Sequence, residues 1–574
     1  MRTSTTRSRR WSRHFGKDGD VADGIEERVA ASMAELTLEQ KVGQLFVTCL
    51  FGADATRPAA EDERHNLAAF GLPTPADIVR KFHLGGVLYA DWAHNTQHPE
   101  QVAQLSNGLQ SVAVDDASGI PLFLAAGQER GTGEPLCATC TQLPGAMALG
   151  ACGNDRDAYQ AALVAGRELT AMGVNQVHAP VVDVAANPKN PVVGVRSFGA
   201  DPELVARLAA ATVRGCADAG ISTVAKHFPG HGDTTVDNRT GVPVLDRDRE
   251  EWQRLDAAPF RAVVTEGVEA VLAAHVAVPA LDESGRPATL SAPILTELLR
   301  DELGHDGPIL VDSLRMRGLR AMYGDEQLPV LALSAGADQL LVPPNLELAI
   351  GAVLDAVRQG TLTEDRIDES VARILRLKLA RGLFDAPYVD TDEVAAAIGG
   401  ADHNEGAARI ADRTVTLVRD DAGAVPLDPS WQAVLVVGVG ESATAALAEE
   451  LGSYASWTVG VDTGAAPDEE AIKSAVARAK HHDVVVLLTN RAWDTTITDP
   501  NAGQRHLLAA LLETGTRVVV VATNDPHDLV YAERAETCLA TYGDAEVSMR
   551  ALARVLIGAV EPRGRLPLEL PWTS

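Results

Sequence analysis

The sequence predicts an α/β chain in two parts, a closed (β/α)8 barrel of the TIM-like kind followed by a smaller α/β domain. Three observations predict it. Eight short apolar runs alternate with longer segments of helical periodicity over residues 31–390. Polar residues gather at the ends of those runs. A second alternation of apolar runs and alanine-rich helices begins beyond residue 404.

Taken in order, residues 1–30 open with Arg2, Arg7, Arg9, Arg10, Arg13 and Lys17. The Arg9-Arg10 pair invites a twin-arginine reading, but Trp11-Ser12-Arg13-His14 comes next, where an apolar segment is required, so a disordered basic tail is expected. Order is expected from about residue 30, with a helix over Leu36–Phe46 that Thr37 can cap. The apolar runs are Leu45–Cys49, Gly86–Tyr89, Pro121–Ala126, Val174–Pro180, Thr223–Lys226, Ala270–His275, Pro308–Asp312 and Asp338–Val342. Continuous apolar strands fit a parallel sheet covered on both faces, and barrel enzymes carry their chemistry at the C-terminal ends of the strands. Lys226, His227, His275 and Asp312 stand at such ends.

A Leu- and Arg-rich helix, Asp365–Arg381, closes the barrel domain of residues 31–390, and the Gly and Pro of Gly382–Pro387 stop it. A linker over 391–404 leads to the second domain, 405–574, with strands at Ala433–Val437, Trp457–Val461, Val484–Leu488, Val518–Ala522 and Thr537–Thr541. Gly438-Val439-Gly440 begins a dinucleotide-type turn but lacks the third glycine, and no cofactor is expected.

Composition narrows the function classes. The chain has 574 residues, too many for one core, with 46% hydrophobic and 22% charged residues and no apolar stretch long enough to span a bilayer. A formal charge of −29 repels nucleic acid phosphates and anionic lipid, so the expected partner is a small uncharged or weakly charged molecule, with no nucleic acid and no membrane. Six scattered cysteines do not form a disulfide framework, which makes a cytoplasmic setting the expectation. Cys137 and Cys140 make a lone C-x-x-C with no matching second pair, so no metal site is expected. The oligomeric state is not legible.

The most informative segment is Lys226-His227-Phe228-Pro229-Gly230-His231-Gly232-Asp233-Thr234-Thr235-Val236-Asp237-Asn238-Arg239, which leaves a strand and enters a loop. Its glycines free the backbone while Lys226, His227, His231 and Asp237 crowd donors, acceptors and titratable groups together, a pattern that suits a site better than packing. The segment resembles glycoside hydrolase family 3, in particular its bacterial β-N-acetylglucosaminidases, which carry K-H-F-P-G-H-G and then a D-S-H triplet. Agreement continues at Asn190–Gly199, Pro287–Ser291 and Ala335–Asp338, and spans roughly residues 33–390. The resemblance implies a barrel followed by an α/β sandwich domain, a β-hexoside or N-acetyl-β-hexosaminide substrate, small glycosides or oligosaccharides as partners, and a retaining mechanism.

By that resemblance Ile309-Leu310-Val311-Asp312-Ser313-Leu314-Arg315-Met316 matches the family's nucleophile segment, which gives Asp312 the role of nucleophile and puts Met316 at the substrate. A carboxylate there can attack the anomeric carbon and form a covalent glycosyl-enzyme. Arg196 and Lys226-His227 take the place of residues that hold the sugar's hydroxyls. Two departures stand out. Where the family has D-S-H, with the histidine as acid/base, this chain has Asp237-Asn238-Arg239, and an arginine cannot donate and recover a proton near neutrality. Where the family has a sugar-binding aspartate and a later arginine, this chain has Gly127 and Pro135.

Three readings are open. In the first, a hydrolase works with altered or weakened catalysis, using His231, Asp233 or a carboxylate of the second domain as acid, or needing none. In the second, the chain is a catalytically deficient binding or regulatory protein. In the third, Arg239 faces an anionic substrate or acceptor group.

Overall fold

The computed structural model describes residues 19–128, 136–237, 239–428, 430–431 and 433–571. Eight parallel strands close into a barrel in chain order: β1 (Phe46–Thr48), β2 (Gly86–Tyr89), β3 (Phe123–Ala126), β4 (Gln176–Val177), β5 (Ser222–Phe228), β6 (Ala270–Ala273), β7 (Ile309–Val311) and β8 (Gln339–Leu341). The barrel closes where Phe46 and Val47 of β1 pair with Leu340 and Leu341 of β8. Every strand stands inside an expected apolar run except β5, which extends to Ser222 at one end and Phe228 at the other and so takes His227 with it. β4 is only two residues long, because Pro180 comes soon after it and has no N–H to offer the ladder.

Helix Leu38–Gly43 starts on the expected cap. The Thr37 side chain accepts the Gln40 N–H while the Gln40 side chain accepts the Thr37 N–H. The expected start of order near residue 30 is too late: a helix spans Gly19–Glu35, and Ile25, Val29 and Met33 form an i, i+4 stripe against the core. Residues 1–18, the rest of the expected tail, lie outside the described residues. The helix expected at Asp365–Arg381 spans Glu364–Ala380. The linker segment holds a helical turn, Val394–Ala397, and the start of helix Ala401–Ala411.

The second domain is a six-stranded sheet of β9 (Thr416–Asp420), β10 (Ala433–Gly438), β11 (Trp457–Asp462), β12 (Val484–Thr489), β13 (Arg517–Ala522) and β14 (Thr537–Ala540), in the order β11-β10-β12-β13-β14-β9. All neighbours are parallel except β9, which runs antiparallel to β14. Gly438 lies at φ 142, and a Cβ there would stand 2.0 Å from the Leu488 carbonyl oxygen, so this glycine serves the packing of β10 on β12. Met147, Ala148, Ala151, Ala185 and Val195 of the barrel half share one apolar cluster with Leu435, Val437 and Val520 of the sheet. Two backbone bonds fasten the seam: Arg565 N–H to the Ala151 carbonyl at 2.9 Å and Ala200 N–H to the Pro567 carbonyl at 2.8 Å. Among the described residues no helix is long and apolar enough to cross a membrane.

Candidate active site

The C-terminal ends of β4 to β7 bring the titratable side chains together. β5 delivers Lys226 and His227, both buried. Asp183, fully buried beyond the end of β4, organises the loop that leaves β5. Its carboxylate accepts the His227 Nδ1–H at 2.7 Å and the His231 backbone N–H at 2.7 Å. Desolvation pushes the Asp183 carboxyl up, but the electrostatic interaction and hydrogen bonds with His227 and His231 outweigh it, and the group is held below the ordinary carboxylate range. With the Nδ1 proton directed at Asp183, the Nε2 lone pair of His227 faces Nη2 of Arg196 at 3.4 Å. Arg196 is itself steadied by donation from Nη1 to the Val192 carbonyl at 3.0 Å.

His231 is fully buried. The Thr234 hydroxyl donates to the His231 carbonyl at 3.0 Å, so its oxygen accepts the His231 Nδ1–H at 2.6 Å, and Nε2 is left as a lone pair without a hydrogen-bond partner among the described residues. Burial and the neighbouring His227 lower the imidazole to about 4. A neutral ring with no proton on Nε2 is a poor general acid at neutral pH, which counts against the first role expected of His231. The loop is braced from behind by Trp252, fully buried, whose Nε1–H donates to the Pro229 carbonyl at 2.8 Å and whose ring meets Phe228 edge-on. Trp252→Phe should cost about 2 kcal/mol through the lost donor and the cavity, read as a lower urea midpoint at unchanged slope.

Asp312 comes directly after β7 and is half-buried, with its backbone N–H on the Ala273 carbonyl at 3.0 Å and its Oδ1 accepting the Ser313 N–H at 2.7 Å. His275, beyond β6, accepts from the Thr289 hydroxyl at Nδ1 (2.9 Å) and donates from Nε2 to the Ser313 carbonyl (3.1 Å). Burial lowers His275 while the Asp312 charge acts against it, and the same charge acts on His231. The Asp312 charge is thus felt by both imidazoles. Met316 is half-buried at the end of this loop, where its N–H bonds the Ser313 carbonyl.

Asp237 and Arg239 meet each other. The guanidinium of Arg239 forks onto the carboxylate, Nε donating to Oδ1 and Oδ2 at 2.9 Å and Nη2 to Oδ2. The pair lowers the Asp237 carboxyl, with the Arg239 hydrogen bond as the leading cause. The side chain of Arg239 is 72% exposed and that of Asp237 12%. Asp233, the other loop carboxylate expected as a possible acid, is bound by Arg247 through Nη2 at 2.8 Å and Nε at 3.2 Å. That expectation is corrected: the Asp233 carboxylate is turned to Arg247 and engaged by its guanidinium.

At Gly127 a Cβ would meet nothing within 4 Å among the described residues, so their packing does not exclude the missing side chain. Pro135 and the loop from Glu129 lie outside the described residues. Cys137 and Cys140 are both buried, and among the described residues no group of three or more His, Cys, Asp or Glu could hold a metal ion. Sequence reasoning missed Asp183. The signal was present, a carboxylate at the end of the run His178-Ala179-Pro180-Val181-Val182-Asp183, where a buried charge demands partners.

Together these groups offer a half-buried carboxylate, polar groups on Lys226, His227 and Arg196, and a loop carboxylate taken up by an arginine, a set suited to a polyol held beside a carboxylate. The sequence profile of the Glycosyl hydrolase family 3 N terminal domain matches residues 37–377, and that of the Glycosyl hydrolase family 3 C-terminal domain matches residues 415–574. The solved structure of a glycoside hydrolase family 3 β-N-acetylglucosaminidase from Paenibacillus sp. str. FPU-7 is 35% identical, with 93% of this chain and 99% of that chain covered and a TM-score of 0.84. Beta-hexosaminidase A of Pseudoalteromonas piscicida is 28% identical over 94% of this chain and 98% of its own length. A beta-N-acetylglucosaminidase/beta-glucosidase of Cellulomonas fimi is also 28% identical, over 95% and 96%.

Proposed function

This chain belongs to glycosyl hydrolase family 3, and from that premise we propose that it is a retaining β-glycosidase with Asp312 as nucleophile and a weakened proton donor. It acts on a β-hexoside or N-acetyl-β-hexosaminide, in keeping with the hexosaminidase, N-acetylglucosaminidase and glucosidase activities named for its relatives. The observation that carries the reading is the contrast between two carboxylates. Asp312 stands half-buried at the end of β7 with one oxygen on the Ser313 amide, whereas Asp237 is taken up by Arg239.

Those positions set the chemistry. Lys226, His227 and Arg196 hold the hydroxyls of the ring, and Asp183 fixes the His227 ring. Asp312 attacks the anomeric carbon, the leaving oxygen departs with the bonding pair, and water then releases the sugar with retention. The D-N-R triplet provides no imidazole to protonate that oxygen, and His231 and Asp233 are placed poorly for the task. Turnover thus depends on the basicity of the leaving group. The six cysteines are free thiols, which supports a cytoplasmic setting.

The test is hydrolysis of dinitrophenyl and nitrophenyl β-glycosides, with intact mass recorded after a 2-fluoro glycosyl inactivator. A covalent adduct on the wild type that disappears in Asp312→Ala is expected. Arg239→His restores the triplet's imidazole beside Asp237 and should raise kcat/KM on nitrophenyl glycosides by about 10-fold or more, within the ~10²–10⁴ that a general acid contributes. Rates on dinitrophenyl glycosides should scarcely move. The Arg239 fork onto Asp237 favours one other reading, a carbohydrate-binding protein without turnover. Sugar binding by calorimetry with neither turnover nor adduct would establish that reading instead.

A further inference from the structure

Trp92 is 55% exposed and stands at the mouth where the chemistry lies, since it comes after β2 in a barrel whose strands all run parallel. Its ring meets Phe51, beyond β1, edge-on at 5.8 Å and 68°, and the His65 ring lies 5.0 Å from that of Phe51. The two loops are fastened to each other. Gly52 N–H donates to the Ala93 carbonyl at 2.9 Å, and Gly52 sits at φ 119, where another residue would be strained.

Two buried asparagines do the remaining fastening. The Asn95 amide donates to the carbonyls of Leu50 (2.7 Å), Gly52 (3.3 Å) and Ala93 (3.2 Å), and its oxygen accepts the Ala90 N–H at 3.0 Å. Asn66 clasps the backbone of Phe51 from both sides, accepting its N–H at 3.0 Å and donating to its carbonyl at 2.8 Å. His94 Nδ1 is held by Asp62 at 2.7 Å. An exposed indole whose backbone is this firmly set loses little freedom when something stacks on it.

The nucleophile's loop runs toward this pair. Leu314 N–H bonds the Leu341 carbonyl at the end of β8, β8 pairs with β1, and the charge of Arg315 acts on Cys49 at the end of β1, two residues before Phe51. Resting on the reading of this chain as a retaining glycosidase with a weakened proton donor, we propose that Trp92 and Phe51 form a stacking platform for the leaving group, and that the leaving group is a phenol. The platform and the Arg239 fork are independent observations with one consequence. A phenol, with a pKa of about 10, leaves as its anion far more readily than a sugar alkoxide, and its flat ring matches an indole.

The step balances without an enzyme acid. Asp312 forms the bond to the anomeric carbon, the C1–O bond breaks with its electron pair on the phenolate, and the phenolate takes a proton from solvent. Water then replaces Asp312 at C1, losing a proton to solvent and restoring the carboxylate.

The experiment compares wild type, Trp92→Ala and Trp92→Phe on phenyl β-glycosides, the β-glycosyl fluorides and the β-linked disaccharides of glucose and N-acetylglucosamine, with calorimetry on phenyl 1-thio-β-glycosides. Trp92→Ala should lower kcat/KM on the phenyl glycoside about 10-fold, mostly through KM, and weaken the thioglycoside equally, leaving the fluoride unchanged; Trp92→Phe should recover most of it. Equal losses on the fluoride, no loss on the phenyl glycoside, or a larger loss on the disaccharide would overturn the platform or its phenolic occupant. A wild type inert to the fluoride but binding the thioglycoside through Trp92 would sink the hydrolase reading and keep the platform.

Discussion

Asp312→Ala should lower kcat/KM on dinitrophenyl β-glycosides by at least about 10⁴-fold, because in the proposed mechanism it removes the atom that forms the covalent intermediate. The loss should be chemical, not structural. Asp312 is half-buried, and its side chain bonds the amide of the next residue, so thermal stability should shift little. Azide added to the variant should restore turnover and release the α-glycosyl azide, since the small anion attacks from the face that Asp312 vacated. A variant that keeps activity within tenfold of wild type would remove Asp312 from the mechanism.

Asp183→Asn should be the most damaging substitution away from the reacting atoms. A fully buried carboxylate that holds an imidazole and a backbone amide cannot lose its charge quietly, and about 3 kcal/mol of stability should go with it. Loss of the His227 orientation should cost about 10²-fold in kcat/KM even where the variant is fully folded. The pH dependence distinguishes this role. The Asp183 carboxyl is held below its unfolded value of about 3.9, so between the two values the unfolded chain binds more protons and stability rises with pH. That contribution is complete above pH ~4 and is lost as pH falls through the folded value. His231 adds a slope of the same sign at higher pH: lowered to about 4 by burial, it favours the folded state fully only above the ordinary imidazole range. Urea titrations from pH 7 to 3 should show both slopes in the wild type and only the upper one in Asp183→Asn.

The barrel was legible because its strands are buried on both faces and read as continuous apolar runs, as Val47, Leu124 and Leu310 do. β9 was not. Thr416-Leu417-Val418-Arg419-Asp420 is an edge strand, half-buried over most of its length and ending in charge, and only its partner β14 makes it a strand. Of the residues expected at the site, Lys226, His227, Arg196 and His231 come together around Asp183, and Asp312 lies within the electrostatic reach of His231 and His275. What the sequence could not supply was pairing. That Asp233 belongs to Arg247, that Asp237 belongs to Arg239, and that His231 presents a bare Nε2 are matters of direction, and direction is set by contacts distant in the chain. The Trp92 platform was equally hidden, because a lone exposed tryptophan acquires meaning only when its loop is seen fastened at the mouth.

The bond from Ala200 to Pro567 has a temporal side. The turn carrying Arg196 is synthesised early, yet the strut that steadies its far end emerges from the ribosome hundreds of residues later, with Gly199 shaped so closely to Pro567 that a Cβ would lie 2.5 Å from its carbonyl oxygen. A chain interrupted before residue 565 lacks both backbone bonds of the seam, so the segment after Arg196 is expected to be less firmly held. On the proposed role of Arg196, a truncated copy should therefore bind sugar more weakly than the whole chain.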